Sequence, residues 1–132
     1  MPYGTVEKRS EYKMMNEDIL MKAGVDYRKG VKRYLGDSEI YELLLLDFCA
    51  DKQMQRSDDA LKHGSRDELL EVAHEVKGTA ANLDMLRLSE ASSALVTALR
   101  DPASSDMQIE QLYGRYRQAF AEAKKAVKAA AE

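Results

Sequence analysis

The chain has 132 residues, 45% of them hydrophobic, with 20 Lys and Arg against 23 Asp and Glu and a net charge of −3. That length suits one domain with a core that needs no staples, and the lone cysteine, Cys49, excludes an internal disulfide and fits a reducing compartment. Mixed charges without a basic block argue against nucleic acid, and no stretch approaches the roughly 18 apolar residues of a membrane span, nor does Met1 to Lys13 carry the apolar core of a signal peptide, so a soluble, cytoplasmic protein is expected.

Residues 1–13 read as a flexible tail and 14–132 as one domain. Apolar residues recur at three- and four-residue spacing, strand-type alternation is nearly absent, and only Pro2 and Pro102 interrupt the chain, which predicts an all-α fold. Asn16 is a candidate N-cap for a short helix that Gly24 ends, and Asp26 for a second that ends near Leu35-Gly36. The run Tyr27-Arg28-Lys29-Gly30-Val31-Lys32-Arg33 in the second is short, lies near acids and reads as a solvated helix face.

Four longer helices follow. Ser38 is a candidate N-cap for one that runs to about Lys62 and holds the apolar run Leu43 to Cys49, which places the thiol in the interior. His63-Gly64 reads as a turn, and Ser65-Arg66-Asp67-Glu68 as a capping box opening a helix that stops near Leu83. The next spans roughly Met85 to Arg100, where Asp101-Pro102 breaks it. Ser105-Asp106-Met107-Gln108 offers another capping box, and the last helix continues towards Ala130 on a stripe of Ile109, Leu112, Tyr113, Tyr116, Phe120, Ala123 and Val127. One apolar stripe per helix and short turns favour an antiparallel up-down four-helix bundle, with the two short N-terminal helices capping one end.

The helix opened by Ser65 carries His74-Glu75-Val76-Lys77-Gly78, and a helix-interior glycine costs roughly 1 kcal/mol against alanine. At about 100° per residue, Leu69, Val72, Ala73, Val76, Ala80 and Leu83 form the core stripe. His74, Lys77, Gly78 and Ala81 then share a neighbouring flank with Leu70 and Asp67, while Glu71 and Glu75 lie further round. A neutral imidazole is a competent nucleophile. Lys77, at i+3, is within reach of whatever the histidine carries and is suited to phosphoryl oxygens, and Gly78 with Ala81 leaves a bare strip beside the ring for a bulky partner.

The run Ala73-His74-Glu75-Val76-Lys77-Gly78-Thr79-Ala80-Ala81-Asn82-Leu83, with Leu88-Ser89-Glu90-Ala91 downstream, resembles the histidine phosphotransfer (HPt) domain of bacterial multistep phosphorelays. The resemblance covers about residues 14–130 in architecture and about 70–100 in close sequence. It implies a phosphorelay intermediate of two-component signalling. Such a domain accepts a phosphoryl group from a receiver's aspartyl phosphate and passes it to another receiver aspartate. His74 would be the phosphoacceptor, Lys77 would steady the phosphoryl group and Gly78 would clear space for it. Asp67, Leu70 and Ala81 share that flank and are expected to help dock the partner. The partners implied are response-regulator receivers and a hybrid sensor kinase. Magnesium comes with the receiver, so no cofactor of the chain's own is expected. The family commonly has Gly where this chain has Asp84, at a left-handed helix end that Asp tolerates less well than Gly.

Other readings are poorly matched. A metal site lacks ligands: His63 is eleven residues from His74, and Glu71-Val72-Ala73-His74 is one Glu-x-x-His where a bundle di-iron site wants two. No Gly-rich phosphate loop occurs, so ATP-dependent self-phosphorylation is not expected. A non-catalytic helical adaptor that binds a signalling partner through the same face is the alternative. The initial Met1 and short tail lead to the expectation of a free-standing carrier over a piece of a hybrid or chemotaxis-type kinase, and a monomer is expected.

Overall fold

Left-handed residues punctuate the first two thirds of the chain: Gly24 (φ +83°), Leu35 (+60°), Gly64 (+69°) and Asp84 (+56°) each follow a helix end. After each, the next backbone N–H reaches back five residues, to Leu20, Val31, Ala60 and Ala80 O respectively. These closures satisfy carbonyls that a helix end leaves open and turn the chain sharply. The computed structural model describes residues 13–132, so the expected tail lies outside the described residues except for Lys13.

Among the described residues seven helices result: α1 (Glu17–Lys22), α2 (Tyr27–Arg33), α3 (Ser38–Ala50), α4 (Gln53–Lys62), α5 (Arg66–Asn82), α6 (Leu86–Arg100) and α7 (Asp106–Ala131). The last three, with α3 and α4 together as the fourth strut, make the expected four-helix bundle. Helix α5 packs between α4 and α6, α6 on α7, and α3 on α7. No strand forms among the described residues, although Val25 and Met85 make an isolated bridge. No helix among them is long and apolar enough to cross a membrane.

The strut from Ser38 to Lys62 is not one helix. Asp51 leaves helical geometry (φ −71°, ψ 151°), and its carboxylate accepts the Gln53 N–H at 2.8 Å, which restarts the chain as α4. A short acidic side chain competes with the helix for its own backbone in this way. The cap of α3 is Asp37, whose Oδ1 accepts from Ile40 N at 3.1 Å, and Ser38 is the first helical residue. Ser65 Oγ caps α5 through Glu68 N at 3.2 Å. The reciprocal half of a capping box is missing there, because the Ser65 N–H is already given to Ala60 O.

The core follows the predicted stripes. In α7 Ile109, Tyr113, Tyr116, Phe120, Ala123 and Val127 are buried, with Leu112 half-buried. Phe120 meets Phe48 of α3 with ring centroids 4.6 Å apart. Buried rings of this size dominate core energetics. Cys49 is half-buried rather than interior; burial pushes its thiol pKa up despite Lys128 and Lys124 nearby.

The N-terminal helices brace the far end of α5. Asp26 N donates to Asp84 O at 2.9 Å. Tyr41 OH donates to Leu83 O at 2.7 Å and Tyr34 OH to Asn82 O at 3.3 Å. Gly30 lies against Tyr41 so closely that an added Cβ would stand 2.1 Å from the ring. The carbonyls of Asn82, Leu83 and Asp84, where α5 ends, are thus taken up by α3 and the residues that cap α2.

Candidate functional site

Ser65 at one end and the Asp84 turn at the other fix the register of α5, and with it which side chains face out. Leu69, Val72, Ala73, Val76 and Ala80 are buried on the inner side, as is Leu83 just beyond the helix. His74, Gly78, Ala81 and Asp67 are exposed, and Lys77 and Leu70 are half-buried at the edge of the same face. All six sequence-predicted site residues therefore lie on one outward surface of one helix.

The charges on α5 divide into bound and free. Glu75, on the side facing α4, accepts from Arg56 at 3.1 and 2.7 Å. Those hydrogen bonds hold its carboxyl below the usual carboxylate range. Among the described residues, neither His74 nor Lys77 spends its side chain on a hydrogen bond or ion pair within the molecule. An imidazole and an ammonium one turn apart, about 5–6 Å between Cβ atoms, are thus both available to something outside.

Gly78 has no internal reason to be glycine. It does not adopt a left-handed backbone, and a Cβ built on it meets no heavy atom within 4 Å. Neither conformation nor packing requires the missing side chain. What it leaves is an open surface one turn beyond the imidazole.

The departure at Asp84 is accommodated. Its φ of +56° is left-handed, and its side chain, 3% exposed, is held by Arg33 Nε and Nη2 at 3.0 Å each. The bidentate pair neutralises a carboxylate that would otherwise oppose the helix dipole. The turn keeps the shape a glycine would give it.

One feature escaped the sequence reading. Leu43 and Leu46 of the leucine run are exposed, as is Ile40 one turn earlier, while Leu45 is fully buried and Leu44 half-buried. Four consecutive leucines on a helix cannot all face one core, and that was the available signal. The α5 face is open surface. A cleft of about 440 Å³ lies between α6, α7 and the α1–α2 turn, but His74, Lys77 and Gly78 do not line it. Among the described residues no group of three or more His, Cys, Asp or Glu side chains could hold a metal ion.

His74, Lys77 and Gly78 thus stand on an outward helix face. The sequence model of the Hpt domain matches residues 44–130, from within α3 to the end of α7. Curated proteins and solved structures give no significant match. The family match covers well over half the chain, includes the whole of α5 and agrees with the helical bundle: the chain belongs to the histidine phosphotransfer (Hpt) domain family and serves phosphorelay signal transduction.

Proposed function

We propose that His74 is the phosphoacceptor, taking a phosphoryl group from the aspartyl phosphate of one receiver domain and giving it to the aspartate of another. The carrying observation is the exposed, uncommitted His74 imidazole flanked by an uncommitted Lys77 and by a glycine the fold does not need.

In the forward step a lone pair on an imidazole nitrogen attacks phosphorus. The P–O bond to the aspartyl carboxylate breaks, the carboxylate leaves with the electron pair, and the second ring nitrogen keeps its proton. Return transfer to a receiver aspartate reverses the sequence. Lys77 places positive charge beside the phosphoryl oxygens. Gly78 lets the receiver's surface approach the ring. Asp67, Leu70 and Ala81 make up the docking face. The magnesium belongs to the receiver, where it supplies charge neutralisation on the phosphoryl oxygens.

The test is a two-receiver relay. Protein labelled by one phosphorylated receiver is separated from it, then mixed with a second, unlabelled receiver. Loss of label from the chain and its gain by the second receiver are expected. His74→Gln should take up no label, with an unchanged helical spectrum. Wild-type protein that stays unlabelled with a broad set of receivers would contradict the proposal.

A further inference from the structure

Beside the α5 face a cleft of about 270 Å³ opens between the end of α3, the start of α4 and the C-terminal turn of α5. Its walls include the exposed carboxylates of Asp47 and Asp51, the ring of Tyr34, and Gln53, Thr79 and Asn82. The balance of hydrogen-bonding groups there is uneven. Gln53 is only 7% exposed; its Nε2 donates to Thr79 Oγ1 at 3.4 Å, but its Oε1 has no partner. Turning the amide over would not mend this, because the Thr79 hydroxyl already donates to Glu75 O at 3.1 Å. Asp47 forms no ion pair among the described residues, and Asp51 gives one oxygen to the Gln53 N–H and forms no salt bridge among them, although its charge acts on Arg56. The nearby guanidinium of Arg56 is committed to Glu75.

A buried acceptor without a donor is unfavourable by about 1–3 kcal/mol, and here it belongs to a residue that lines a cleft whose rim is doubly acidic. What is missing is a group with several donors and a positive charge. A guanidinium has five N–H donors and no acceptor, and stacks on aromatic rings. A metal ion fits less well, since no group of three acidic, His or Cys side chains converges among the described residues. Thr79 and Asn82 follow His74 by five and eight residues, so the cleft is roughly 8–12 Å along the helix from the imidazole. A partner covering about 800 Å² on its side of an interface spans that distance.

We propose that the partner seated on His74 places an arginine side chain in this cleft, which makes the cleft a specificity pocket for the docking receiver. The inference rests on the phosphocarrier reading. Its first test needs no partner: ¹⁵N-labelled protein is titrated with N-acetyl-arginine amide at constant ionic strength, with N-acetyl-glutamine amide as the uncharged control. Saturable shifts at the Gln53 side-chain amide, Thr79 and Asn82 are expected for the arginine probe only. Equal responses to both probes, or none, overturn the proposal. The second uses a receiver that labels the wild type. Asp47→Lys, at an exposed position, should raise KM for the phosphorylated receiver about tenfold, near 1.4 kcal/mol, and leave kcat unchanged. Gln53→Leu should raise KM as well while the melting temperature holds or rises. Unchanged KM in both variants, with the wild type labelled, sinks the cleft proposal alone. Failure of every receiver to label the wild type is seen before any variant is made and defeats the phosphocarrier reading instead.

Discussion

Gly78 and Gly114 are both exposed glycines inside long helices, and a Cβ at either meets nothing within 4 Å. An unneeded glycine is therefore no signature by itself; what separates Gly78 is its place one turn from His74. The pair makes a controlled comparison. Alanine at either position should raise stability by about 0.5–1 kcal/mol in urea unfolding. A bulky Gly78→Leu should slow labelling at least tenfold, whereas Gly114→Leu should leave it unchanged; equal labelling rates for the two would remove the steric role of Gly78. Lys77→Ala should slow transfer by about tenfold, or 1.4 kcal/mol, while shifting stability by less than about 0.5 kcal/mol, as expected of an uncommitted surface cation. A large stability loss with normal transfer would place Lys77 in the fold rather than at the site. The orientation of these side chains was readable from sequence because one cap and one stripe fix a helix's register. The need for Gly30 was not, since it comes from Tyr41, which no local pattern links to it.

Helix ends were legible where a side chain or a left-handed residue acts on its own backbone. Asn16, Asp26 and Ser65 each cap as expected, accepting from Ile19, Lys29 and Glu68 N. The break between α3 and α4 was not legible, because Asp51 sits in an otherwise good helical run and its Asx turn is decided by how the strut must bend around the core. Asp51→Ala removes the acceptor for Gln53 N and should lower stability by about 1 kcal/mol, in line with other lost caps. The Asp84 turn combines a left-handed backbone with the Arg33 pair. Asp84→Ala keeps the unfavourable φ and loses the pair; Asp84→Gly loses the pair but relaxes the backbone. The urea midpoint should fall in both, and further for alanine. The reverse order would mean that the left-handed backbone at this turn carries no penalty for a residue with a side chain.

At the scale of the bundle, two part-exposed ion pairs tie α4 to its neighbours, a small contribution beside the core. Arg56 holds the Glu75 carboxyl below its usual range. Burial would raise that of Asp58, but hydrogen bonds from Arg117 and Tyr113 outweigh it and hold it lower. With folded values depressed, this stabilisation is fully present above the ordinary carboxylate range near about 4 and is lost as pH falls through the lower folded values. Thermal melts over a pH series should decline below about pH 4, and the decline should be shallower in the double variant Arg56→Met, Arg117→Met. Bundle class and helix order were legible because each stripe repeats with helical period. The cleft at Gln53 depends on how α3, α4 and α5 meet, which no single stripe encodes. The central claim concerns one of two histidines, His63 in the turn before α5 and His74 on its outer face. The most direct test is site mapping of the chain after labelling by a phosphorylated receiver, by peptide mass spectrometry at alkaline pH, where phosphohistidine survives. The account predicts the phosphoryl group on the His74 imidazole and none on His63; label on His63, or on an acid-stable hydroxyl with His74 bare, would contradict it.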